Sequence, residues 1–173
     1  MKLHQIKIEH NAGHDRLLLR LSTRDGKELL FWLTRRCVKS LWPALMQIAQ
    51  SSARIALQSD PEARAALLGF EHERALRKAD FATAYDEAAR ERPLGDEPAL
   101  VTHIQRAKGT KGSPALSLTL YSGQNVNIAL DDALLHSFCR LLQAAVDKAE
   151  WDIALALPRA YAADAVRGSR TIN

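Results

Sequence analysis

The sequence predicts an α+β fold in which one β-β-β-α unit occurs twice, with a helical segment inserted between the copies. Three observations lead there. The two ends align at an offset of 97 residues: Leu19-Arg20-Leu21 with Leu116-Ser117-Leu118, Gly26 with Gly123, Leu33 with Leu130, Ser40 with Ser137 and Leu45 with Leu142. Each end also repeats the same order of signals, namely alternating strand, glycine turn, alternating strand, polar cap and amphipathic helix. The middle third instead runs rich in Ala, Glu, Arg and Leu, which are strong helix formers, and ends at Pro93-Leu94-Gly95-Asp96-Glu97-Pro98. The expected organisation is a single domain over 1–173. It divides into a first repeat at about 1–50, a helical insert at about 51–92, a linker at 93–98, a second repeat at about 99–157 and a flexible tail at 158–173.

In the first repeat, Leu3 to Ile8 alternates as a strand and Asn11-Ala12-Gly13 turns the chain. Arg16 to Ser22 then places Leu17, Leu19 and Leu21 on one face and Arg16, Leu18 and Arg20 on the other. Arg24-Asp25-Gly26 carries the Asp-Gly pair of a tight hairpin, where glycine accepts positive φ. Lys27 to Leu33 is its return strand, with Leu29, Phe31 and Leu33 inward and Glu28, Leu30 and Trp32 outward. The Thr34 hydroxyl suits a helix N-cap. The helix after it spaces Cys37, Val38, Leu41, Leu45 and Ile48 along one stripe. Pro43 inside that helix removes a backbone donor, which predicts a kink or break near Lys39 to Trp42.

The insert opens with Asp60-Pro61-Glu62, a cap followed by proline at the first helical position. Its helix to about Ala79 has an apolar stripe of Ala63, Leu67, Leu68 and Phe70, and Ala82 to Arg92 is expected to hold a short helix. The second repeat begins with a strand at Leu100 to Gln105 and a basic loop at Ala107 to Pro114. Ala115 to Tyr121, a turn at Ser122-Gly123-Gln124 and a strand through Val126, Ile128 and Leu130 follow. Asp131 and Asp132 cap a helix carrying Leu134, Leu135, Phe138, Leu141, Leu142 and Val146. One such unit exposes an apolar sheet face too large for a small lone domain. Two copies sharing one core about a pseudo-two-fold axis solve that problem.

A chain of 173 residues with 47% hydrophobic and 25% charged residues fits a globular protein with a real core. No apolar run reaches bilayer length, and Met1 to His10 lacks the apolar core of a signal segment, so a cytoplasmic protein with no membrane partner is expected. Cys37 and Cys139 fall on the inner sides of helices and read as a reduced, buried pair. The net charge of +4 and pI near 9.3 permit a polyanionic partner.

Catalytic and metal motifs are missing, and no cofactor is expected. The loop Arg106 to Ser113 lacks the GxxxxGK[ST] spacing and leads into a strand where a phosphate loop needs a helix. His10 and His14 form an H-x3-H pair on a turn, without further ligands. His72, between Glu71 and Glu73, reads as a solvated helix face with intrahelical pairs to Arg74 and Arg77, and His136 and His103 read as partly buried. Chemistry concentrates instead where strand meets helix in the first repeat. Trp32, Arg35, Arg36, Lys39 and Trp42, beside Arg16 and Arg20 of the neighbouring strand, combine a stacking surface with cations. Arg35 and Arg36 also oppose the helix dipole, a cost of a few tenths to about 1 kcal/mol that a bound anion offsets. Lys108 and Lys111 at the basic hairpin tip add possible phosphate contacts. A structural role competes: Arg35 and Arg36 paired with Asp131 and Asp132, and Trp32, Leu18 and Leu30 packed under the middle helices.

Phe31-Trp32-Leu33-Thr34-Arg35 and Ile128-Ala129-Leu130-Asp131-Asp132, each a strand ending in a capped helix, resemble the Whirly-type single-stranded nucleic-acid-binding fold. That resemblance covers both repeats but not Ser51 to Arg92, and it carries over no site residue. It implies paired sheet-and-helix units with exposed sheet faces that bind a nucleic-acid strand. The expected function is a non-enzymatic binding protein for single-stranded nucleic acid. The alternative is an assembly module whose Leu18, Leu30 and Trp32 form a homodimer or protein-partner interface.

Overall fold

The computed structural model describes residues 3–88 and 91–157; the tail expected at 158–173 lies outside them. It is an α+β fold with one six-stranded mixed sheet and four α-helices. The strands are β1 (Leu3–Asn11), β2 (Arg16–Thr23), β3 (Glu28–Leu33), β4 (Ala99–Lys108), β5 (Pro114–Leu120) and β6 (Asn125–Ala129). The helices are α1 (Arg35–Gln50), α2 (Ala53–Ala56), α3 (Pro61–Lys78) and α4 (Asp132–Lys148). Strands lie in chain order across the sheet. Neighbours are antiparallel except β3 and β4, which run parallel through Phe31 opposite Ala99 and Trp32 opposite Leu100.

Alternation decides which face is buried. Leu17, Leu19 and Leu21 of β2 pair across with Leu33, Phe31 and Leu29 of β3, and all six lie in the core. Each fully buried leucine contributes about 2 kcal/mol relative to exposure. The two long helices share this inner face and touch each other, but each packs mainly on the first strand of the other three-stranded meander: α1 on β4 and α4 on β1. One core therefore joins both halves of the chain. Leu41, Leu45, Phe138 and Leu142 supply its helical side.

Both capping expectations hold: the Thr34 side chain accepts from the Cys37 N–H, and that of Asp131 from the Leu134 N–H. Pro43 does not break α1, which is continuous from Arg35 to Gln50. Pro43 removes the helical donor for the Lys39 carbonyl, and both residues lie on the exposed side of the helix, where solvent can reach. Meanwhile Leu41, Leu45 and Ile48 stay buried and hold the helix on the sheet, and Trp42, expected at the binding corner, is buried with them in the core instead.

The insert departs further from expectation. On α3 the buried face is Leu68, Glu71 and His72, while Phe70 is 56% exposed. The described part of the expected helix at Ala82 to Arg92 is not helical. Side chains from this stretch reach across the outer sheet face, and Glu91 bridges to Lys27 beside β3, which requires open backbone. No helix among the described residues is long and apolar enough to cross a membrane.

Candidate nucleic-acid interface

The outer face of the first meander carries Lys7 and Glu9 from β1, Arg16, Leu18 and Arg20 from β2, and Glu28, Leu30 and Trp32 from β3. The stretch between α3 and β4 covers only one end of it. There Glu28 is a buried hub. It accepts two bonds from Arg20 (3.0 and 2.7 Å), one from the Tyr85 hydroxyl (2.9 Å) and one from Arg92 Nε (3.1 Å). Burial opposes the Glu28 charge, yet Arg20, Tyr85 and Arg92 hold its carboxyl below the usual carboxylate range. Burial and the Glu28 carboxylate push the Tyr85 phenol up to about 12. Glu87 completes the network by accepting from Lys7 at 2.9 Å and Arg20 at 2.6 Å. Leu30 is buried at this end.

The other end stays open. Trp32 and Leu18 are cross-strand partners and both are half-buried. His14 meets the indole of Trp32 edge-on, with ring centres 5.3 Å apart. Arg16 is half-buried one position along the same face of β2. Arg36 in the first turn of α1 and Lys39 in the second are both exposed. None of these three cations pairs with an acidic side chain among the described residues. An aromatic face among uncompensated cations can stack a base while gripping its phosphates. Farther along the same side of the sheet, His103 and Gln105 of β4 and Asn125, Asn127 and Ala129 of β6 are exposed, while Ala115 and Ser117 of β5 between them are buried.

Arg35 belongs to a different cluster at the same sheet end. Its guanidinium lies 3.1 Å from Asp15 and 5.4 Å from the ring centre of Trp151. The Trp151 indole donates to Asp15 at 2.7 Å, and His10 meets Trp151 edge-on. The indole bond, with Arg35, holds the Asp15 carboxyl below its ordinary range. Asp15 sits at φ +47°, a conformation few residues other than glycine adopt. This cluster ties the segment after α4 to the first hairpin.

The predicted site residues thus separate into three groups. Trp32 and Arg16 share the open outer face of the first meander, whereas Arg36 and Lys39 lie exposed on α1, the helix that packs on the inner face. Arg20 is committed to a buried ion pair with Glu28, and Arg35 pairs at the surface with Asp15 rather than with Asp131 or Asp132. Lys108 ends β4, about 26 Å along the strand from the level of Trp32, and Lys111 lies in the following turn, so neither joins the corner. The hub residues Tyr85 and Arg92 carried one legible signal, a lone tyrosine in a polar stretch.

A second polar cluster was misread. His72 is buried, not solvated, with its Nδ1 3.0 Å from Nδ1 of His136 on α4, although the pairs of Glu71 with Arg74 and Glu73 with Arg77 do form. His103, read as partly buried, is exposed. Cys37 and Cys139 are free and buried as expected, and burial pushes the Cys139 thiol up to about 12, leaving it unreactive. No group of three or more His, Cys, Asp or Glu among the described residues could hold a metal ion. Comparison with family models, curated proteins and solved structures finds no match to this chain.

Proposed function

We propose that this protein binds single-stranded nucleic acid, without catalysis, on the outer sheet face centred on Trp32. The observation that carries this reading is the half-open indole of Trp32 on the same outer face as Arg16, with Arg36 and Lys39 exposed at the start of the helix that follows β3, cations that no described acidic side chain neutralises. The uncharged face of Asn125 and Asn127 gives a strand room to continue, and the Whirly resemblance, which rests on element order, points the same way. The competing assembly reading loses Leu30, one of its three interface residues, to burial. Fluorescence anisotropy with a labelled oligothymidine tests the proposal. Wild-type protein should saturate in the micromolar range, and Trp32→Ala should weaken binding by about 1–3 kcal/mol. An absence of binding at low salt, or an unaffected Trp32→Ala variant, would refute it.

We also infer that residues 3–50 and 99–148 are two copies of one unit. Four correspondences support this reading. The Thr23 N–H bonds the Lys27 carbonyl and the Leu120 N–H bonds the Gln124 carbonyl. Gly26 and Gly123 occupy matching turn positions with φ of +77° and +86°. Thr34 and Asp131 cap matching helices, and the β1–β2 and β4–β5 ladders each slip once, near His4 and near Thr102. The reciprocal packing of α1 on β4 and α4 on β1 fits a pseudo-two-fold relation.

A further inference from the structure

Helix α3 is held to the rest of the molecule by a small seat. Leu68 is its one fully buried large side chain, and beside it lie two polar residues, Glu71 and His72, buried to the same degree as core leucines. Glu71 is neutralised from two sides, by Arg74 of α3 at 2.5 Å and Arg54 of α2 at 3.2 Å. His72 meets His136 of α4 through facing Nδ1 atoms 3.0 Å apart. Such a contact is a hydrogen bond only when one of the two Nδ1 atoms carries a proton and the other presents a lone pair. A neutral pair meets that condition, and so does a singly charged one. A doubly charged pair cannot: two N–H groups then point at each other inside a buried contact, and two positive charges face across it.

We propose that the His72–His136 pair is a proton-operated latch between α3 and α4, closed while the facing Nδ1 atoms share one proton and opened when each holds its own.

The surroundings resist the second proton. Around the pair stand Glu71, Glu73 and Arg74 on α3, Asp132 and Arg140 on α4, and Arg54 on α2. Glu71 is already matched by two arginines. Asp132 is 62% exposed and 3.8 Å from His136 Nε2, so solvent screens most of its help. Burial, His136 and then Arg140 lower the His72 pKa to about 4, and burial lowers that of His136. Because these values fall below the ordinary 6.5, the released state takes up protons first as pH drops. The latch is therefore fully closed above about pH 6.5 and loses strength down to about pH 4. Opening it frees α3 from α4 and widens the cavity of about 330 Å³ that lies between α2, Glu71 and His136.

Hydrogen exchange of the intact chain, corrected for intrinsic rates, tests this together with an NMR titration of the two imidazole rings. Protection of α3 amides should fall relative to α1 by up to about tenfold per pH unit over the acid range, in step with the ring titrations. His72→Gln, whose amide can donate to His136 Nδ1 without titrating, should flatten that dependence. Should the variant fail to fold, the wild-type rings still decide. Constant α3 protection through the titration, loss of protection before either ring titrates, or a His72→Gln profile identical to wild type would overturn the latch.

Discussion

Glu28 is the residue that holds the covered end of the outer face together. Its side chain is 3% exposed and answers Arg20, Tyr85 and Arg92 together. Removing it leaves the Arg20 guanidinium, itself only 14% exposed, without its buried partner. Glu28→Ala should therefore cost about 3–5 kcal/mol in urea unfolding. Glu87→Ala, which removes a partner that is 55% exposed, should cost less than about 1 kcal/mol. Equal costs would mean that Glu28 is not the hub. Its lowered pKa also adds stability above the ordinary carboxylate pKa of 4.5 that is lost as pH falls below it.

At the scale of elements, α1 and α4 differ where the proposed function needs them to. The first turn of α1 carries Arg35 and Arg36 and no acid, whereas that of α4 carries Asp132. Arg36→Glu should stabilise the fold by a few tenths to about 1 kcal/mol by complementing the dipole, while weakening oligonucleotide binding. A thermal melt and a titration on one preparation check both signs, and a variant losing stability and affinity together would make Arg36 structural. The elements that face one core were legible in the sequence: the alternation of Leu17, Leu19 and Leu21, the caps at Thr34 and Asp131, and the glycine at Gly26 are local signals. The insert was not. On α3 the apolar residues Phe70 and Leu67 suggested one face, but the polar pair Glu71 and His72 is buried because partners from α2 and α4, distant in sequence, satisfy it. The 81–88 stretch has helix-forming residues, yet Tyr85 and Glu87 find better partners on the sheet than a helix would offer. For the same reason Trp32 could be placed on the outer face from β-strand parity, but the pairing of Arg20 with buried Glu28 and of Arg35 with Asp15 at the surface could not be foreseen.

Across the whole molecule, reciprocal packing of the two long helices makes one core, and the stretch before β4 covers half of one outer face. What remains open is the outer surface around Arg16 and Trp32 at one end and around Asn125 and Asn127 at the other, with the buried Ser117 between them and positive charge at the Trp32 end. Charge of that kind acts through released counterions, so its contribution is read from salt dependence rather than from affinity alone. The most direct measurement is oligothymidine affinity across about 50 to 200 mM salt, for wild type and for Arg16→Ala/Arg36→Ala/Lys39→Ala. Three phosphate contacts predict a wild-type slope of log affinity against log salt of about −2, and a slope near zero for the triple variant. A flat wild-type slope, or one that the triple substitution leaves unchanged, would contradict the assignment of this face to nucleic acid.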